Sequence, residues 1–305
     1  MSKVIEVAAA IIRDASGRVL LSRRPSHKHQ GDCWEFPGGK CEPNESMEAA
    51  LTRELDEELG LTLFSSVPFM TIDHDYPDRR VRLCFREVTR FRGQPRGREG
   101  QPVDWFAPEA LQELVLPAAN QPVVTALRLP EAWAILPSHL KEADFLRALP
   151  GQAERGYGIY FRGLENRPAE LQTRVQQARE HGLTIMVRDD PEVARKVKAD
   201  VLHLSSDVSR SLTERPQFDG LVSMACHNRA ERDRALVLGV DQILLSPVSA
   251  TPTHPEARPL GWPGLAELAT GIPVPVYALG GVTPADREQA RKAGARGIAG
   301  IRAFW

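Results

Sequence analysis

Residues 39–61 read GKCEPNESMEAALTRELDEELGL, and this stretch decides the interpretation of the first part of the chain. Positions 47–59 contain no Pro or Gly, and their apolar residues recur at every fourth position: Met47, Leu51, Leu55 and Leu59. This spacing predicts an amphipathic helix with one buried face. Gly60 follows the last apolar residue and is expected to end the helix.

Three glutamates of this helix are spaced to share a face. Glu54, Glu57 and Glu58 stand at positions i, i+3 and i+4, and Arg53 lies four residues before Glu57, where it could orient that side chain. Crowded carboxylates repel one another unless a cation lies between them, and hard oxygen ligands suit Mg²⁺ or Mn²⁺. The alternative is a solvated acidic surface.

The complete spacing G-x5-E-x7-R-E-L-x-E-E-L-G-L resembles the signature of the Nudix hydrolases position by position. A match in one register over the whole stretch favours a metal site over a solvated surface. The resemblance implies hydrolysis of a diphosphate linkage.

Length and composition allow two domains and exclude several classes of protein. The chain has 305 residues, 42% of them hydrophobic and 26% charged, with a net charge of −1. We therefore expect no direct nucleic-acid binding and no membrane-surface binding. The apolar run at 7–12 is too short for a signal peptide or a membrane span. The four cysteines form no CxxC pair, which favours reduced thiols and a cytoplasmic location.

Residues 1–130 mix strand-like runs with one strong helix, which predicts an α+β domain with a mixed sheet and helices. The predicted strands cover 4–12, 19–22, 67–73, 81–90 and 103–106, and a second helix is predicted at 118–129.

From residue 131 the pattern becomes an alternation of short apolar runs with helical segments. The eight runs lie at 132–136, 158–161, 184–187, 201–204, 221–225, 242–245, 274–279 and 297–301. Alternation of this kind predicts a parallel sheet, and eight repeats predict a TIM-like (β/α)8 barrel over 131–305. The segment is short for that fold, so its connections must be tight.

Further motifs of the first domain resemble the MutT type of Nudix hydrolase. They are Arg23-Arg24-Pro25, WEFPGGK at 34–40, Tyr76-Pro77-Asp78-Arg79, GREGQP at 97–102 and PAANQP at 117–122. That type hydrolyses oxidised guanine nucleoside triphosphates to the monophosphate and pyrophosphate, which prevents their mutagenic incorporation into DNA. The resemblance implies an 8-oxo-dGTP diphosphatase, a hydrolase that acts on acid anhydrides.

The same resemblance implies a metal site for Mg²⁺, with Mn²⁺ as the alternative. Its ligands would be Glu58, Glu99 and a backbone carbonyl of Gly38 or Gly39, and Glu54 and Glu57 would complete the cluster. Metal ions neutralise phosphate charge and activate water for attack on phosphorus. Glu54 is the preferred general base, and Glu99 remains open as the other candidate.

Substrate contacts are also implied by the resemblance, and the set comprises Arg24, His29, Glu35, Phe36, Pro37, Gly38, Asp78, Arg79 and Asn120. Arg24 is expected to pair with a phosphate oxygen through its fork of N–H groups. The Asn120 amide offers a donor and an acceptor to the O6 and N7 edge of a purine. Oxidation at C8 converts N7 into a donor, so an acceptor placed there would discriminate against unmodified guanine.

The second domain resembles thiamin phosphate synthase and its regulatory relatives, above all over the last sixty residues. The motifs are SPVSATPTHPEARPLGWPGLAELA at 246–269 and VPVYALGGVTPADREQARKAGARGIAGI at 274–301. The resemblance implies a phosphate site at Thr251, Thr253, Gly280 and Gly281, where backbone amides approach a phosphorylated small molecule.

Several positions of the second domain depart from that family. Leu164 and His254 stand where the family has lysine, Arg188-Asp189 replaces an Asn-Asp pair that supports Mg²⁺, and Ala225 replaces a serine. The later aspartate falls at Val208, although Asp207 is adjacent. A diphosphate site without these groups should not ionise its substrate efficiently, so we expect a catalytically degenerate barrel.

Two other interpretations remain open. The Nudix domain could act on a pyrophosphate of the thiamin pathway, or the barrel could sense a thiamin-related phosphate while the Nudix domain is secondary. Asn120 and the motif at 76–79 favour the nucleotide, because a thiamin substrate needs no reader of a purine edge.

Overall fold

The computed structural model describes residues 4–24, 31–76, 79–251 and 256–305, which group into two compact units. The first unit comprises Met1–Arg128 with Thr270–Pro273, and the second comprises Leu129–Ala269 with Val274–Trp305. The predicted site residues His29, Asp78 and Thr253 lie outside the described residues.

The first unit is the predicted α+β arrangement. Its elements are β1 (Ile5–Ile11), β2 (Val19–Arg23), β3 (Trp34–Glu35), β4 (Gly38–Lys40), α1 (Met47–Leu59), β5 (Thr62–Asp75), β6 (Arg80–Arg92), β7 (Val103–Phe106) and α2 (Gln121–Arg128). One mixed sheet has the order β4-β1-β6-β5, with β1 and β6 parallel, and an antiparallel sheet has the order β3-β2-β7.

The predicted amphipathic helix is confirmed as α1, and its ends have identifiable causes. The Ser46 hydroxyl accepts the Ala49 N–H at 3.2 Å and caps the first turn. Gly60 ends the helix in the left-handed region with a φ of 69° and donates its N–H to the Asp56 carbonyl. One face of the helix is buried in the core, namely Ala50, Leu51, Leu55 and Leu59. The glutamates are thereby left on the other side of the helix.

Two elements of this unit differ from their predicted extents. The hairpin strand β5 begins at Thr62 rather than at 67. Its first part was missed because polar residues interrupt the apolar pattern there, and the strand also carries register shifts, one of them between Pro68 and Met70. The helix predicted at 118–129 consists of a 3₁₀ turn at Ala118–Asn120 followed by α2. Pro122 has no N–H and therefore fits only the first turn of α2.

The second unit is the predicted barrel of eight parallel strands. Its elements are β8 (Ala132–Ile135), α3 (Glu142–Glu154), β9 (Tyr157–Phe161), α4 (Pro168–Glu180), β10 (Ile185–Arg188), α5 (Pro191–Lys196), β11 (Val201–Leu204), α6 (Ser206–Ser211), β12 (Leu221–Cys226), α7 (Arg229–Val237), β13 (Gln242–Leu245), α8 (Gly261–Ala269), β14 (Val276–Leu279), α9 (Arg287–Lys292) and β15 (Gly297–Gly300). The sheet closes in the order β10-β11-β12-β13-β14-β15-β8-β9. Three of its helices, α5, α6 and α9, are only six residues long, as the short segment requires.

The barrel interior is a packed core rather than a channel. Trp133, Tyr160, Met186, Leu244 and Tyr277 are among the side chains that fill it, and each is at most 3% exposed. Because all eight strands are parallel, the side chains that follow them meet at one rim. No described helix has the length and apolar character that crossing a membrane requires.

Candidate active site

A cavity of about 360 Å³ in the first unit collects most of the predicted site residues. Its lining includes Arg24, Glu35, Phe36, Gly38, Gly39, Lys40, Glu54, Glu58, Tyr76, Arg79, Glu99, Pro117 and Asn120. Carboxylates from α1 and from the 96–101 loop therefore share one cavity with an amide and two arginines.

Arg53 forms hydrogen bonds with three glutamates, one of which, Glu54, lines this cavity. Its Nη1 donates to Glu54 Oε1 at 2.8 Å and to Glu57 Oε2 at 3.3 Å, and its Nη2 donates to Glu45 Oε2 at 2.9 Å. The hydrogen bonds that Arg53 donates to Glu45 and Glu54 hold the pKa of Arg53 above its ordinary value. The sequence had suggested only the contact with Glu57, so the structure extends the role of Arg53 to three carboxylates.

Gly39 is a glycine because Glu54 lies directly against it. A Cβ atom built on Gly39 would lie 2.2 Å from the Glu54 carboxyl carbon, well inside contact distance. A side chain at this position would push the Glu54 carboxylate out of its present position. The glycine and the carboxylate are thus a matched pair within the sequence motif.

Glu58 is the most deeply placed carboxylate of the cavity. The Gly38 N–H donates to Glu58 Oε2 at 3.2 Å. Burial raises the pKa of Glu58 to about 7; the Gly38 hydrogen bond opposes this rise, and the neighbouring charges of Glu54, Glu35 and Glu99 add to it. A cation beside Glu58 would relieve both the lost solvation and the repulsion.

Glu57 lies apart from the other two helix glutamates. Its side chain is 57% exposed and is absent from the cavity lining. Successive residues of an α-helix are about 100° apart, so positions i+3 and i+4 diverge to either side of position i. Glu54 and Glu58 consequently face the cavity, while Glu57 turns toward solvent with Arg53.

The 96–101 loop brings Glu99 to the cavity by binding the end of α1. The backbone N–H of Arg98 and the side-chain amide of Gln101 donate to the Glu58 carbonyl at 2.9 and 3.1 Å. The Arg96 N–H donates to the Leu59 carbonyl at 3.1 Å. These donors satisfy carbonyls that the helix itself leaves unpaired, and they fix the loop next to Glu58.

A divalent metal fits the chemistry of this donor set. Within residues 4–24, 31–76, 79–251 and 256–305, no three His, Cys, Asp or Glu side chains lie close enough together to coordinate a metal ion as they stand. Glu54 is instead turned to Arg53, and Glu58 accepts the Gly38 N–H. The lining nevertheless offers carboxylate oxygens from Glu54, Glu58 and Glu99, which are the hard ligands that Mg²⁺ and Mn²⁺ prefer.

The opposite part of the cavity carries groups suited to a base and a phosphate. Arg24 forms an ion pair with Glu35, and its Nε is buried without a hydrogen-bond partner in the described chain. Phe36 is 4% exposed and packs edge-on against Phe85 at 5.5 Å. Asn120 is 7% exposed and is held in its turn by an N–H bond to the Pro117 carbonyl at 2.8 Å.

The remaining predicted contacts divide in two. Arg79 lines the cavity, and its carbonyl accepts the Tyr76 N–H at 2.8 Å. Pro37 does not line it; the Pro37 carbonyl accepts the Ala10 N–H at 2.8 Å and so serves the sheet. Lys40 also lines the cavity, although no role was predicted for it from the sequence. Its position next to Gly39, within the WEFPGGK motif, could have indicated that it belongs to the site.

A second cavity, of about 650 Å³, opens at the carboxyl ends of the barrel strands. The predicted residues Thr251, Gly280 and Gly281 line it, together with Tyr160, Arg162, Arg188, His203, Asp207, His227 and Arg302. Gly280 and Gly281 pack against residues 247–250, and the Ser249 N–H donates to the Gly280 carbonyl at 2.9 Å.

His203 is a buried polar residue of this second cavity that the sequence analysis did not single out. Its Nδ1 is hydrogen-bonded to Ser223 Oγ at 2.9 Å, and its ring lies 4.9 Å from the ring of Tyr160. Burial lowers the pKa of His203 to about 3, and the charges of Arg188 and Arg162 act in the same direction. The imidazole is therefore neutral at physiological pH.

Two family models match the chain in separate parts. The model described as "NUDIX domain" matches residues 8–126, and the model described as "Thiamine monophosphate synthase" matches residues 138–304. The second match covers more than half of the chain.

Curated relatives divide in the same way. The 8-oxo-dGTP diphosphatase of Escherichia coli is 38% identical over 126 residues, which are 41% of this chain and 98% of that protein. The CTP pyrophosphohydrolase of the same organism is also 38% identical, over 41% of this chain and 91% of its own length. The putative thiamine-phosphate synthase 2 of Aquifex aeolicus is 30% identical over 58% of this chain and 99% of that protein.

The carboxylate-lined cavity carries the Nudix signature, and the relatives of its domain share that domain over nearly their full length. The barrel likewise has a family model and a relative that it spans almost completely. The chain is thus a fusion: its first part belongs to the Nudix hydrolases, related to nucleotide pyrophosphohydrolases such as MutT, and its second part belongs to the thiamine monophosphate synthase family.

Proposed function

We propose that the first unit hydrolyses 8-oxo-dGTP to its monophosphate and pyrophosphate. The observation that carries this proposal is the composition of one cavity, in which Glu54, Glu58 and Glu99 share the lining with Asn120. The carboxylates can hold the metal ions that neutralise a triphosphate, and the amide of Asn120 can form hydrogen bonds with the edge of a purine. The similarity to an 8-oxo-dGTP diphosphatase and to a CTP pyrophosphohydrolase supports a nucleotide as the class of substrate.

Glu58, Glu99 and Glu54 would hold the metal, together with a backbone carbonyl at Gly38 or Gly39. When bound, Mg²⁺ or Mn²⁺ neutralises phosphate charge and polarises the P–O bond that is cleaved. Glu54 would accept the proton of the attacking water, and the 2.8 Å hydrogen bond from Arg53 supports this role by orienting its carboxylate. Glu99 is the alternative base, and its place beside the end of α1 is fixed by the 96–101 loop.

Arg24 would exchange its ion pair with Glu35 for a phosphate oxygen when the nucleotide enters. Its buried and unpartnered Nε gives it a second donor for the same ligand. Phe36 would support the base through its apolar surface. Asn120, almost fully buried, would present its amide to the base without competition from bulk water.

Oxidation of the guanine is recognised, in this proposal, by the change at N7. An acceptor that meets the N–H of the oxidised base meets a second acceptor when the base is normal guanine. Leaving such a group unpaired costs about 1–3 kcal/mol, and each 1.4 kcal/mol corresponds to a factor of ten. A single contact therefore supplies discrimination of roughly fivefold to a hundredfold.

A substrate panel tests the proposal. The full-length protein, with Mg²⁺, is given 8-oxo-dGTP, dGTP, CTP and thiamin pyrophosphate in separate reactions, and kcat/KM is measured for each. We expect the highest value for 8-oxo-dGTP, at least about tenfold above dGTP. A preference for CTP would instead favour the activity named for the second relative. A preference for thiamin pyrophosphate would favour a thiamin-pathway hydrolase.

For the barrel, we propose binding of a phosphorylated small molecule at Thr251, Gly280 and Gly281 without synthase turnover. Leu164, which replaces a lysine of the family, is 3% exposed and does not line the cavity. Ala225 lines it with a methyl group where the family has a hydroxyl. The full-length protein should therefore form no thiamin phosphate from hydroxymethylpyrimidine diphosphate and thiazole phosphate. Robust formation would contradict the proposal.

A further inference from the structure

Two arginines stand side by side at the rim of the barrel. Arg162 directly follows β9, and Arg188 is the last residue of β10. The two strands are parallel neighbours, with Val187 opposite Phe161, so the next position of each strand places Arg188 beside Arg162. Both arginines line the 650 Å³ cavity. We call this pair the arginine wall.

The positive charge of the arginine wall is only partly balanced by protein carboxylates, because Arg188 has a carboxylate partner and Arg162 has none in the described parts of the chain. Arg162 is half-buried and has no hydrogen bond or ion pair in the described parts of the chain. Arg188 Nε contacts Asp189 Oδ2 at 2.9 Å. Arg302 adds a further guanidinium to the same lining. A partly desolvated cation without a counter-ion is unfavourable, so the cavity is suited to a bound anion.

The carboxylates near the wall are already engaged. Asp189 uses its second oxygen to accept the Ser205 N–H at 2.6 Å. Asp207 contacts Arg210 at 3.0 Å, and its side chain is 83% exposed. Together with the guanidinium groups beside them, these contacts leave no favourable place for a divalent cation. The residues therefore do not fit the Mg²⁺ site that resemblance to the synthases implies.

The neutral state of His203 agrees with a positive electrostatic potential in the barrel cavity. Besides burial, the charges that lower the pKa of His203 are those of Arg188 and Arg162, the two members of the wall. A bound cation would experience the same repulsion as a protonated imidazole there. An anion would experience attraction.

The wall is separate from the glycine pair of the barrel. In the closed strand order, β9 and β10 lie three or four strands away from β14, which ends just before Gly280. The two features thus face each other across the cavity mouth. Apolar side chains, including Ile135, Leu279 and Ile301, also line the cavity and suit an organic body.

We propose that the barrel binds a phosphoryl oxyanion on the arginine wall without a divalent cation. Planar guanidinium groups match the oxygens of a phosphoryl group in pairs. A phosphate monoester carries more negative charge than a carboxylate and so compensates the unpaired charge of Arg162 and Arg302 more fully. The guanidinium of Arg188 takes over the electrostatic task that a metal ion performs in a carboxylate site.

Calorimetric titration of the full-length protein tests this inference. Phenyl phosphate and inorganic phosphate serve as probes, with sodium benzoate as the carboxylate comparator, each in EDTA and in Mg²⁺. Arg162→Gln and Arg188→Gln are compared with Arg195→Gln, a matched control whose arginine is paired with Glu192 and lies outside the cavity lining. Only the binding that the wall variants remove is assigned to the barrel, so binding at the Nudix cavity does not interfere.

We expect phenyl phosphate to bind equally in EDTA and in Mg²⁺, within about twofold, and more tightly than benzoate. Each wall variant should weaken it at least about tenfold, the loss of one charge-assisted pair, while Arg195→Gln leaves it unchanged. Arg162→Lys, which keeps the charge, should retain part of the affinity if Arg162→Gln fails to fold. A requirement for Mg²⁺, or equal binding by the wall variants and the control, would overturn the inference.

Discussion

The two cavities of this chain differ in the balance of charged groups that line them. The Nudix cavity combines four carboxylates with three cationic side chains, whereas the barrel cavity combines three arginines with the single exposed carboxylate of Asp207. A phosphate group can bind next to carboxylates only when cations lie between them, whereas it binds guanidinium groups directly through hydrogen bonds. A family's metal requirement therefore depends on which charged residues a particular chain has kept.

Each cavity also contains one buried group that is pushed toward its neutral form. Burial raises the pKa of Glu58 to about 7 and lowers that of His203 to about 3. In both cases the surrounding charges have the same sign as the ionised group and add to the effect of burial. Burial, reinforced by the charges of the cavity lining, therefore explains the direction of the pKa shift of Glu58 and of His203.

The largest effect is expected from Glu58→Gln. The change removes a charged oxygen donor but keeps the size of the side chain, so the fold should survive while kcat falls by roughly 10²–10⁴. Initial rates of 8-oxo-dGTP hydrolysis in saturating Mg²⁺ measure this, with circular dichroism to check folding. Phenyl phosphate binding at the barrel should be unaffected.

Glu57→Gln is the matched control, because Glu57 lies one residue away on the same helix but outside the cavity lining. We expect it to lower kcat by less than about tenfold, since it loses an exposed contact with Arg53. Equal losses from both variants would show that Glu57 turns into the metal site when substrate binds. Near-normal kcat in Glu58→Gln would remove Glu58 from the metal ligands.

A smaller effect, on specificity, is expected from Asn120→Ala. Loss of the base contact should reduce the ratio of kcat/KM for 8-oxo-dGTP over dGTP by roughly 5- to 100-fold, the equivalent of about 1–3 kcal/mol. Gln121→Ala is the control, since Gln121 is exposed and adjacent. If both nucleotides lose activity equally, Asn120 supports the cavity and does not read the base.

The sequence predicted the elements whose burial pattern is regular. All eight barrel strands were found because strands covered on both sides are continuous apolar runs. Helix α1 was found because its core face repeats every four residues. The early part of β5 was missed because residues such as Ser65 and Ser66 are polar, and a partly exposed hairpin strand has no continuous apolar signal.

Contacts that depend on tertiary register could not be predicted in the same way. Arg162 and Arg188 are far apart in the sequence, and only the parallel pairing of β9 with β10 makes them neighbours. The ion pair between Arg24 and Glu35 likewise depends on the pairing of β2 with β3. The family motifs identified most of the proposed substrate and metal contacts, but residues such as Lys40 and His203, and the partners of each side chain, became evident only in the fold.

The smallest expected effect concerns stability and tests the positive field of the barrel cavity. An unfolded histidine titrates near pH 6.5, whereas folded His203 titrates at about 3. Below pH 6.5 the unfolded chain therefore binds a proton that the folded chain rejects, and stability falls as the pH decreases toward 3. At pH 5 this single group should cost about 2 kcal/mol relative to pH 7. Urea unfolding at both pH values measures the loss, and His203→Asn should reduce it by that amount, while His139→Asn, at an exposed position, should not. An identical pH dependence in the wild-type chain and in His203→Asn would mean that His203 is protonated in the folded barrel, which in turn would require a negative charge beside it that the arginine wall does not provide.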